Sequence, residues 1–155
     1  IRLLLNTDFQ EVRKELTWDT LIYTGPADEY YGYKHGRLKY RSLDFVFETL
    51  DCESYQEAPV VNYPNDYDYT RITEFKKLTG QEHRKTTIMK EFPREGGEPY
   101  YPFPTADARA QFSLYQKEME AEKNVYFLGR LAEYRYFNMD AVVRNALDLY
   151  RNKLA

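Results

Sequence analysis

The chain is poor in the residues that most often announce a chemistry. It has one cysteine, Cys52, so neither an internal disulfide nor a cysteine-based metal site is available. Its two histidines, His35 and His83, stand far apart in polar surroundings, outside any cluster with metal-ligand spacing, and read as loop histidines. Gly and Pro number 7 each in 155 residues, too few for a linker or a low-complexity tract. Lys+Arg is 22 against Asp+Glu 25, a net charge of −3, so the basic surplus of a nucleic-acid-binding domain is missing. No apolar run approaches the ~20 residues of a membrane-spanning helix, and no stretch reads as a secretory leader. G-x-S-x-G, H-E-x-x-H and the P-loop are absent. The glycines at 25, 32, 36, 80, 96, 97 and 129 never fall into G-x-G-x-x-G, so there is no dinucleotide fingerprint.

What is plentiful is tyrosine. Tyr is 16, Phe 9 and Trp 1, an aromatic content of 17%. Tyrosine joins an apolar ring to a polar tip and suits clefts and interfaces; aromatic residues also favour strands. The length is that of one domain, and residues 1–155 are expected to form one.

Ile1 to Leu5 reads as a strand, and a chain that opens inside a strand on Ile rather than Met reads as a piece of a longer protein. Thr7 or Asp8 caps a short helix through Phe9, Val12 and Leu16. Leu21 to Thr24 reads as a strand closed by Gly25-Pro26. One or two helical turns follow from Asp28 to Lys34, ending near Gly36. Leu38 to Leu50, Pro59 to Pro64, Asp68 to Phe75 and Thr86 to Phe92 read as strands joined by turns, hence an antiparallel sheet. Ala108, Phe112, Tyr115 and Met119 share one helical face. Asn124 to Leu128 is a compact strand, and Asn138 to Lys153 a final helix with Val142, Val143, Ala146, Leu149 and Tyr150 on its apolar side. The expected fold class is α+β, mainly antiparallel, with a C-terminal strand, loop and helix.

Arginine flanked by tyrosine recurs: Tyr69-Thr70-Arg71, and Gly129-Arg130 with Tyr134-Arg135-Tyr136. Tyr100-Tyr101 sits between Pro99 and Pro102. Guanidinium forks match phosphate oxygens, and tyrosine hydroxyls donate to the same atoms. The pattern suits a phosphorylated sugar or a nucleotide, although any one of these arginines alone reads equally as a surface ion-pair partner.

Taken in order, these segments resemble a known family. Tyr23-Thr24-Gly25-Pro26-Ala27-Asp28-Glu29-Tyr30-Tyr31 is similar to the Y-T-G-P-x-D-x-Y-F segment of bacterial UDP-galactopyranose mutases. Gly36 to Leu43, Val60-Val61-Asn62-Tyr63, Tyr69-Thr70-Arg71-Ile72, Lys90-Glu91-Phe92 and Pro99-Tyr100-Tyr101-Pro102 follow in the family's order. Gly129 to Asp140 resembles its C-terminal signature. The likeness runs from about residue 1 to about residue 150.

The resemblance implies a flavin-dependent isomerase that interconverts UDP-galactopyranose and UDP-galactofuranose for cell-surface polysaccharides. Reduced FAD would act through an adduct between its N5 and the sugar, so the protein needs no nucleophile of its own. By position in the motifs, Arg71 and Tyr101 would contact the substrate diphosphate, with Tyr30 and Tyr136 beside it and Glu91 supporting the network. Arg130, Asn138 and Met139 would lie by the flavin. Ala132 stands where the family usually has Gly, and Asn138 where it usually has Asp. The N-terminal dinucleotide fingerprint and the helical domain with its lid are missing. The chain therefore reads as the substrate-side portion, with residues from about 124 to 155 completing the FAD domain of a longer enzyme. Alone it is expected to be inactive and to retain no FAD. The full-length enzyme is expected to be cytoplasmic and homo-oligomeric, with no nucleic-acid partner. Two other readings stay open: a non-catalytic tyrosine-rich nucleotide-sugar module, and the C-terminal domain of another flavoprotein.

Overall fold

The computed structural model describes residues 1–103 and 105–155. In chain order the elements are α1 (Phe9–Val12), β1 (Leu21–Tyr23), α2 (Ala27–Tyr30), β2 (Tyr40–Leu50), β3 (Val60–Asn62), β4 (Arg71–Glu74), α3 (Phe75–Thr79), β5 (Thr86–Glu95), β6 (Tyr101–Pro102), α4 (Ala106–Ala121), β7 (Val125–Phe127) and α5 (Met139–Leu149). A π-type turn over Tyr150–Leu154 ends the chain. The fold is α+β. Two compact units are present, one made of Ile1–Lys39 and Tyr101–Ala155, the other of Tyr40–Tyr100.

The first unit is built around aromatic rings. Asp8 opens α1 by accepting the Gln10 amide at 2.7 Å, and the helix is a single turn that stops at Val12, short of the expected Leu16. β1 and β7 pair in parallel, Leu21 opposite Val125 and Tyr23 opposite Phe127. This pair is the parallel exception in a mainly antiparallel fold. Its signal was in the composition, since Leu-Ile-Tyr and Val-Tyr-Phe are unbroken apolar runs of the kind parallel strands use. Tyr23, Tyr30 and Ala132 form the core, with Phe9, Leu21, Tyr31, Val125 and Phe127 packed on them. Ala132 has no positive φ, so a Cβ is accommodated there without backbone strain. Ile1 to Leu5 is not a strand. Among the described residues it has no pairing partner, and Leu3, Leu4 and Leu5 are exposed, because an apolar run without a neighbouring strand gains nothing by extending.

Thr105 caps α4 by accepting the Ala108 amide. Ala108 and Tyr115 on its inner face are buried. The Tyr115 hydroxyl donates to the Gly36 carbonyl at 2.6 Å and accepts the His35 amide at 3.0 Å. α5 opens after Asn138 as expected, but none of its residues is buried, and Met139, Val143 and Leu147 are exposed.

The second unit is an antiparallel sheet whose strands run in the order β3-β4-β5-β2. The β2–β5 ladder extends from Arg41 opposite Glu95 to Leu50 opposite Thr86. β4 ends at Glu74, one residue before the expected Phe75, and α3 follows, a helix the periodicity did not indicate. Its marker is Gly80, which takes φ +70° at the C-terminal end. Glu74 itself is fully buried. Its carboxylate accepts the Tyr55 amide at 3.0 Å, the Gln56 amide at 3.1 Å and the Thr86 hydroxyl at 2.6 Å. Burial alone would raise its pKa, but these three donors and Lys77 outweigh it and hold the carboxyl below the usual carboxylate range.

Candidate functional site

In the sheet unit, register assembles a polar row on one face. Asn62 of β3 is the Cα partner of Arg71 in β4, and Arg71 is the partner of Glu91 in β5. Directly opposed residues share a face. The Arg71 Nε–H donates to Asn62 Oδ1 at 2.9 Å, and one terminal nitrogen lies 3.6 Å from Glu91 Oε1. Glu91 is buried while the Arg71 side chain is 40% exposed. The guanidinium is therefore held from both flanks at the surface. Its other N–H groups have no acceptor among the described residues. Phe45 continues the row opposite Glu91 and meets the Tyr100 ring edge-on at 5.6 Å. Elsewhere in this unit, Tyr67 and Tyr69 stack at 4.7 Å and 7°, with Tyr63 edge-on to both, and Tyr69 meets Phe92 edge-on at 5.9 Å.

In the other unit, the loop from Gly129 to Asn138 carries the second cluster. Gly129 adopts φ +94°, and its amide is received by Glu133 Oε2 at 2.7 Å. Tyr134 takes φ +47°, is buried, and donates its hydroxyl to the Lys39 carbonyl at 2.5 Å, with the Phe103 carbonyl at 3.3 Å. Burial raises the Tyr134 pKa, so the hydroxyl stays a donor. This wrapped loop presents Arg130 against two rings. Its guanidinium carbon lies 5.2 Å from the Tyr101 centroid and 5.0 Å from that of Tyr136. The rings themselves stack at 6.1 Å and 29°, and Arg130 Nε donates to the Phe137 carbonyl at 2.7 Å. The Tyr136 hydroxyl donates to Asn138 Oδ1 at 3.1 Å. A cleft of about 400 Å³ is lined by Pro102, Arg109, Tyr134, Arg135 and Tyr136.

The residues expected at the site fall into three places. Arg71 and Glu91 meet in the sheet unit. Tyr101, Arg130, Tyr136 and Asn138 meet in the loop cluster, and Met139, 83% exposed, follows at the start of α5. Tyr30 lies in the aromatic core, its ring 4.9 Å from that of Phe127 and 4.0 Å beneath the Arg13 guanidinium carbon. Burial raises the Tyr30 pKa against the pull of Arg13, so it too keeps its proton. Asn138 occupies the N-cap position of α5 without making the side-chain cap bond, since its oxygen is taken by Tyr136. Asn62, Glu74 and Glu133 were not singled out in the sequence. Only Asn62 carried a signal, being three residues beyond Pro59 inside a motif segment. Among the described residues no group of His, Cys, Asp and Glu is arranged to hold a metal ion, and no helix is long and apolar enough to cross a membrane.

The fold is α+β, and each of the two units holds one arginine, Arg71 or Arg130, against flanking side chains. Comparison with known proteins makes this specific. Residues 1–136 match the family model of UDP-galactopyranose mutase, and the chain belongs to that family. It is 42% identical over 132 residues to a "Probable UDP-galactopyranose mutase" of Klebsiella pneumoniae, covering 82% of this chain and 34% of that protein. It is 39% identical over 136 residues to the UDP-galactopyranose mutase of Mycoplasma pneumoniae, with the same coverage of 82% and 34%. It is 35% identical over 133 residues to the dTDP-fucopyranose mutase of Escherichia coli, covering 83% and 35%. The chain thus spans about a third of the length of the curated relatives it matches. A crystal structure of reduced UDP-galactopyranose mutase shares the fold with a TM-score of 0.66 at 17% identity, covering 88% of this chain and 41% of that one.

Proposed function

We propose that the chain is the substrate-side portion of a flavin-dependent mutase that interconverts the pyranose and furanose forms of a nucleotide sugar, UDP-galactose first among candidates. The observation that carries this reading is Arg71, fixed by Asn62 and Glu91 with donors to spare, at a position that matches the family's motif. In such a reaction, negative charge grows on the diphosphate as the anomeric bond breaks. A fixed guanidinium beside that diphosphate stabilises the charge without reorganising at the moment of reaction. Glu91 keeps the fork oriented. Tyr101 would offer its hydroxyl to phosphate oxygens; Tyr136 would do so by giving up its bond to Asn138, and Tyr30 stays in the aromatic core.

The residues present fit one edge of a flavin site. Arg130 lies beside two stacked rings with terminal nitrogens to offer, and the α5 N-terminus has a cap residue that makes no side-chain bond to the helix amides. Helix N-termini favour electron-rich groups. Arg130, Asn138 and Met139 would hold that edge; the glycine loop that grips the pyrophosphate is not in this chain. When bound, reduced FAD supplies the electron-rich centre that displaces UDP from the sugar. The chain alone is therefore expected to retain no flavin and to turn nothing over. The setting is expected to be the cytoplasm, supplying galactofuranose for cell-surface polysaccharide.

The test is turnover of UDP-galactofuranose, with dTDP-fucopyranose as a second substrate, by the full-length enzyme. Arg71→Ala removes a charge-assisted contact of about 1.5–3 kcal/mol, roughly a ten- to hundredfold loss in kcat/KM. Arg71→Lys recovers only part, because a point charge cannot fork onto two oxygens. Full activity in the alanine variant overturns the reading, as does stoichiometric flavin with turnover in the isolated chain. A full-length protein that binds UDP but never isomerises it would favour the non-catalytic module.

A further inference from the structure

We infer that Tyr134 is a positioning residue: its buried hydroxyl ties the 129–138 loop to β6 and so sets where Tyr101 and Tyr136 stand. This rests on the reading of those two tyrosines as diphosphate ligands. Tyr134 donates to the Lys39 carbonyl at 2.5 Å and lies 3.3 Å from the Phe103 carbonyl. The Phe103 amide donates to the same Lys39 oxygen at 3.0 Å. A carbonyl oxygen has two lone pairs and takes both donors. The loop, the end of β6 and residue 39 therefore meet at one oxygen. Lys39 follows Leu38, whose amide donates to the buried Asp28 carboxylate at 2.9 Å, so the point of attachment is itself fixed. Tyr101 stands two residues before Phe103, and Tyr136 two residues after Tyr134. Two residues span at most ~7 Å, so each ring hangs from this knot on a short tether. The two rings stack at 6.1 Å.

The backbone shows what holding this position requires. Tyr134 takes φ +47°, in the left-handed region that a residue with a Cβ avoids. Such a conformation persists where the surroundings fix it. Here the Phe112 ring stacks on Tyr134 at 5.2 Å, and the hydroxyl is anchored at its far end. Other bonds of the loop, between Gly129 and Glu133, Arg135 and Arg130, and Arg130 and Phe137, run within it. They stiffen the loop in itself, whereas Tyr134 joins it to residues 39 and 103. A buried hydroxyl with only a structural role predicts lower melting and unchanged ligand affinity. A positioning role predicts that affinity falls while the protein is still fully folded, because a displaced ring no longer meets its phosphate oxygen.

The experiment measures melting temperature, and UDP affinity well below melting, in the full-length enzyme. The variants are Tyr134→Phe, Tyr115→Phe, Tyr101→Phe/Tyr136→Phe and the triple variant Tyr101→Phe/Tyr134→Phe/Tyr136→Phe. Tyr115→Phe is the matched control, since it also loses a buried hydroxyl bonded to backbone, at Gly36 and His35. Both single variants should melt lower. Tyr134→Phe should lose UDP affinity roughly fivefold, the size of one net hydrogen bond, and Tyr115→Phe less than about twofold. The triple variant should bind no more weakly than Tyr101→Phe/Tyr136→Phe. Phe112→Leu, which loosens the stack and keeps the hydroxyl, is the second probe and should lose affinity in the same direction. Wild-type affinity in Tyr134→Phe, or in Phe112→Leu where Tyr134→Phe does not fold, overturns the inference, and an impaired Tyr101→Phe/Tyr136→Phe then leaves the reading of the two tyrosines intact. Equal losses in Tyr134→Phe and Tyr115→Phe also overturn it, since the effect is then general loosening. A further loss in the triple variant overturns it as well, because Tyr134 would act by another route. Wild-type UDP affinity in Tyr101→Phe/Tyr136→Phe removes the reading of those residues and this inference with it.

Discussion

Glu74→Gln isolates the contribution of a buried charge at nearly constant shape. The wild-type carboxylate receives two backbone amides, from Tyr55 and Gln56, and the Thr86 hydroxyl, and Lys77 Nζ lies 3.9 Å from Oε2. In the glutamine variant one oxygen becomes an NH2 group. If the remaining oxygen keeps the Tyr55 amide and Thr86, the NH2 faces the Gln56 N–H, donor against donor. The lost bond was made to a charged acceptor, and its partner is left buried. The expected cost is about 1.5–3 kcal/mol. At about 2–4 °C per kcal/mol for a chain of this length, melting should fall by roughly 3–12 °C. The pH dependence has a definite sign. The folded pKa is depressed, so the stabilisation is fully present above the unfolded carboxyl value of ~4.3 and is lost as pH falls through the folded value. The gap between wild type and Glu74→Gln should therefore be wide at pH 7 and narrow in acid. Urea unfolding at both pH values reads it. A gap under ~0.5 kcal/mol at pH 7, the range of neutral surface changes, or one that widens in acid, refutes the argument.

Tyr134→Phe should cost about 1–2 kcal/mol, because the Lys39 carbonyl loses its 2.5 Å donor in a buried position; unchanged thermal melting would show the hydroxyl to be idle. Gly129→Ala meets no atom within 4 Å but must adopt φ +94°, so a loss of about 1–2 kcal/mol in urea unfolding is expected from the backbone alone. Asn138→Ala should cost well under the ~1 kcal/mol of a true N-cap, since the cap bond is not made; a loss of that full size would show that the cap forms in solution. Asn138→Asp should leave melting within a few degrees, yet shift the flavin midpoint potential of the full-length enzyme, because it adds a charge beside Arg130.

Elements with a local signature were legible. Asp8 and Gly36 mark a helix start and a turn by chemistry that acts within a few residues. β2 falls within the expected strand Leu38 to Leu50, although Phe45, Val46 and Phe47 are all exposed along it. Where the deciding force was distant, the sequence carried no local sign of it. Whether β7 lies parallel or antiparallel to β1 is set by a partner about a hundred residues away. The burial of Glu74 is set by donors from Tyr55, Gln56 and Thr86, none of them its sequence neighbours. Asn138 shows a subtler limit. The sequence located the N-cap position correctly, yet the hydroxyl of Tyr136, two residues back, outcompetes the helix amides for its oxygen.

The two arginine clusters share a design that no single contact reveals. Arg71 is oriented at Nε by a neutral amide oxygen, and Arg130 at Nε by a neutral backbone carbonyl. Carboxylates would have served orientation equally well, and would have added an ion pair. They would also have filled the guanidinium's field with negative charge. Glu91 is the one carboxylate beside Arg71, and it is placed on the buried side of the pair. Among the described residues Arg130 has no carboxylate within ion-pair distance, and Asn138 stands in its cluster where a charged Asp is the common alternative. Both arginines are thus held at Nε by a neutral oxygen, Arg71 with one acid on its buried flank and Arg130 with none in ion-pair distance among the described residues, which is the arrangement the proposed anion-binding role calls for.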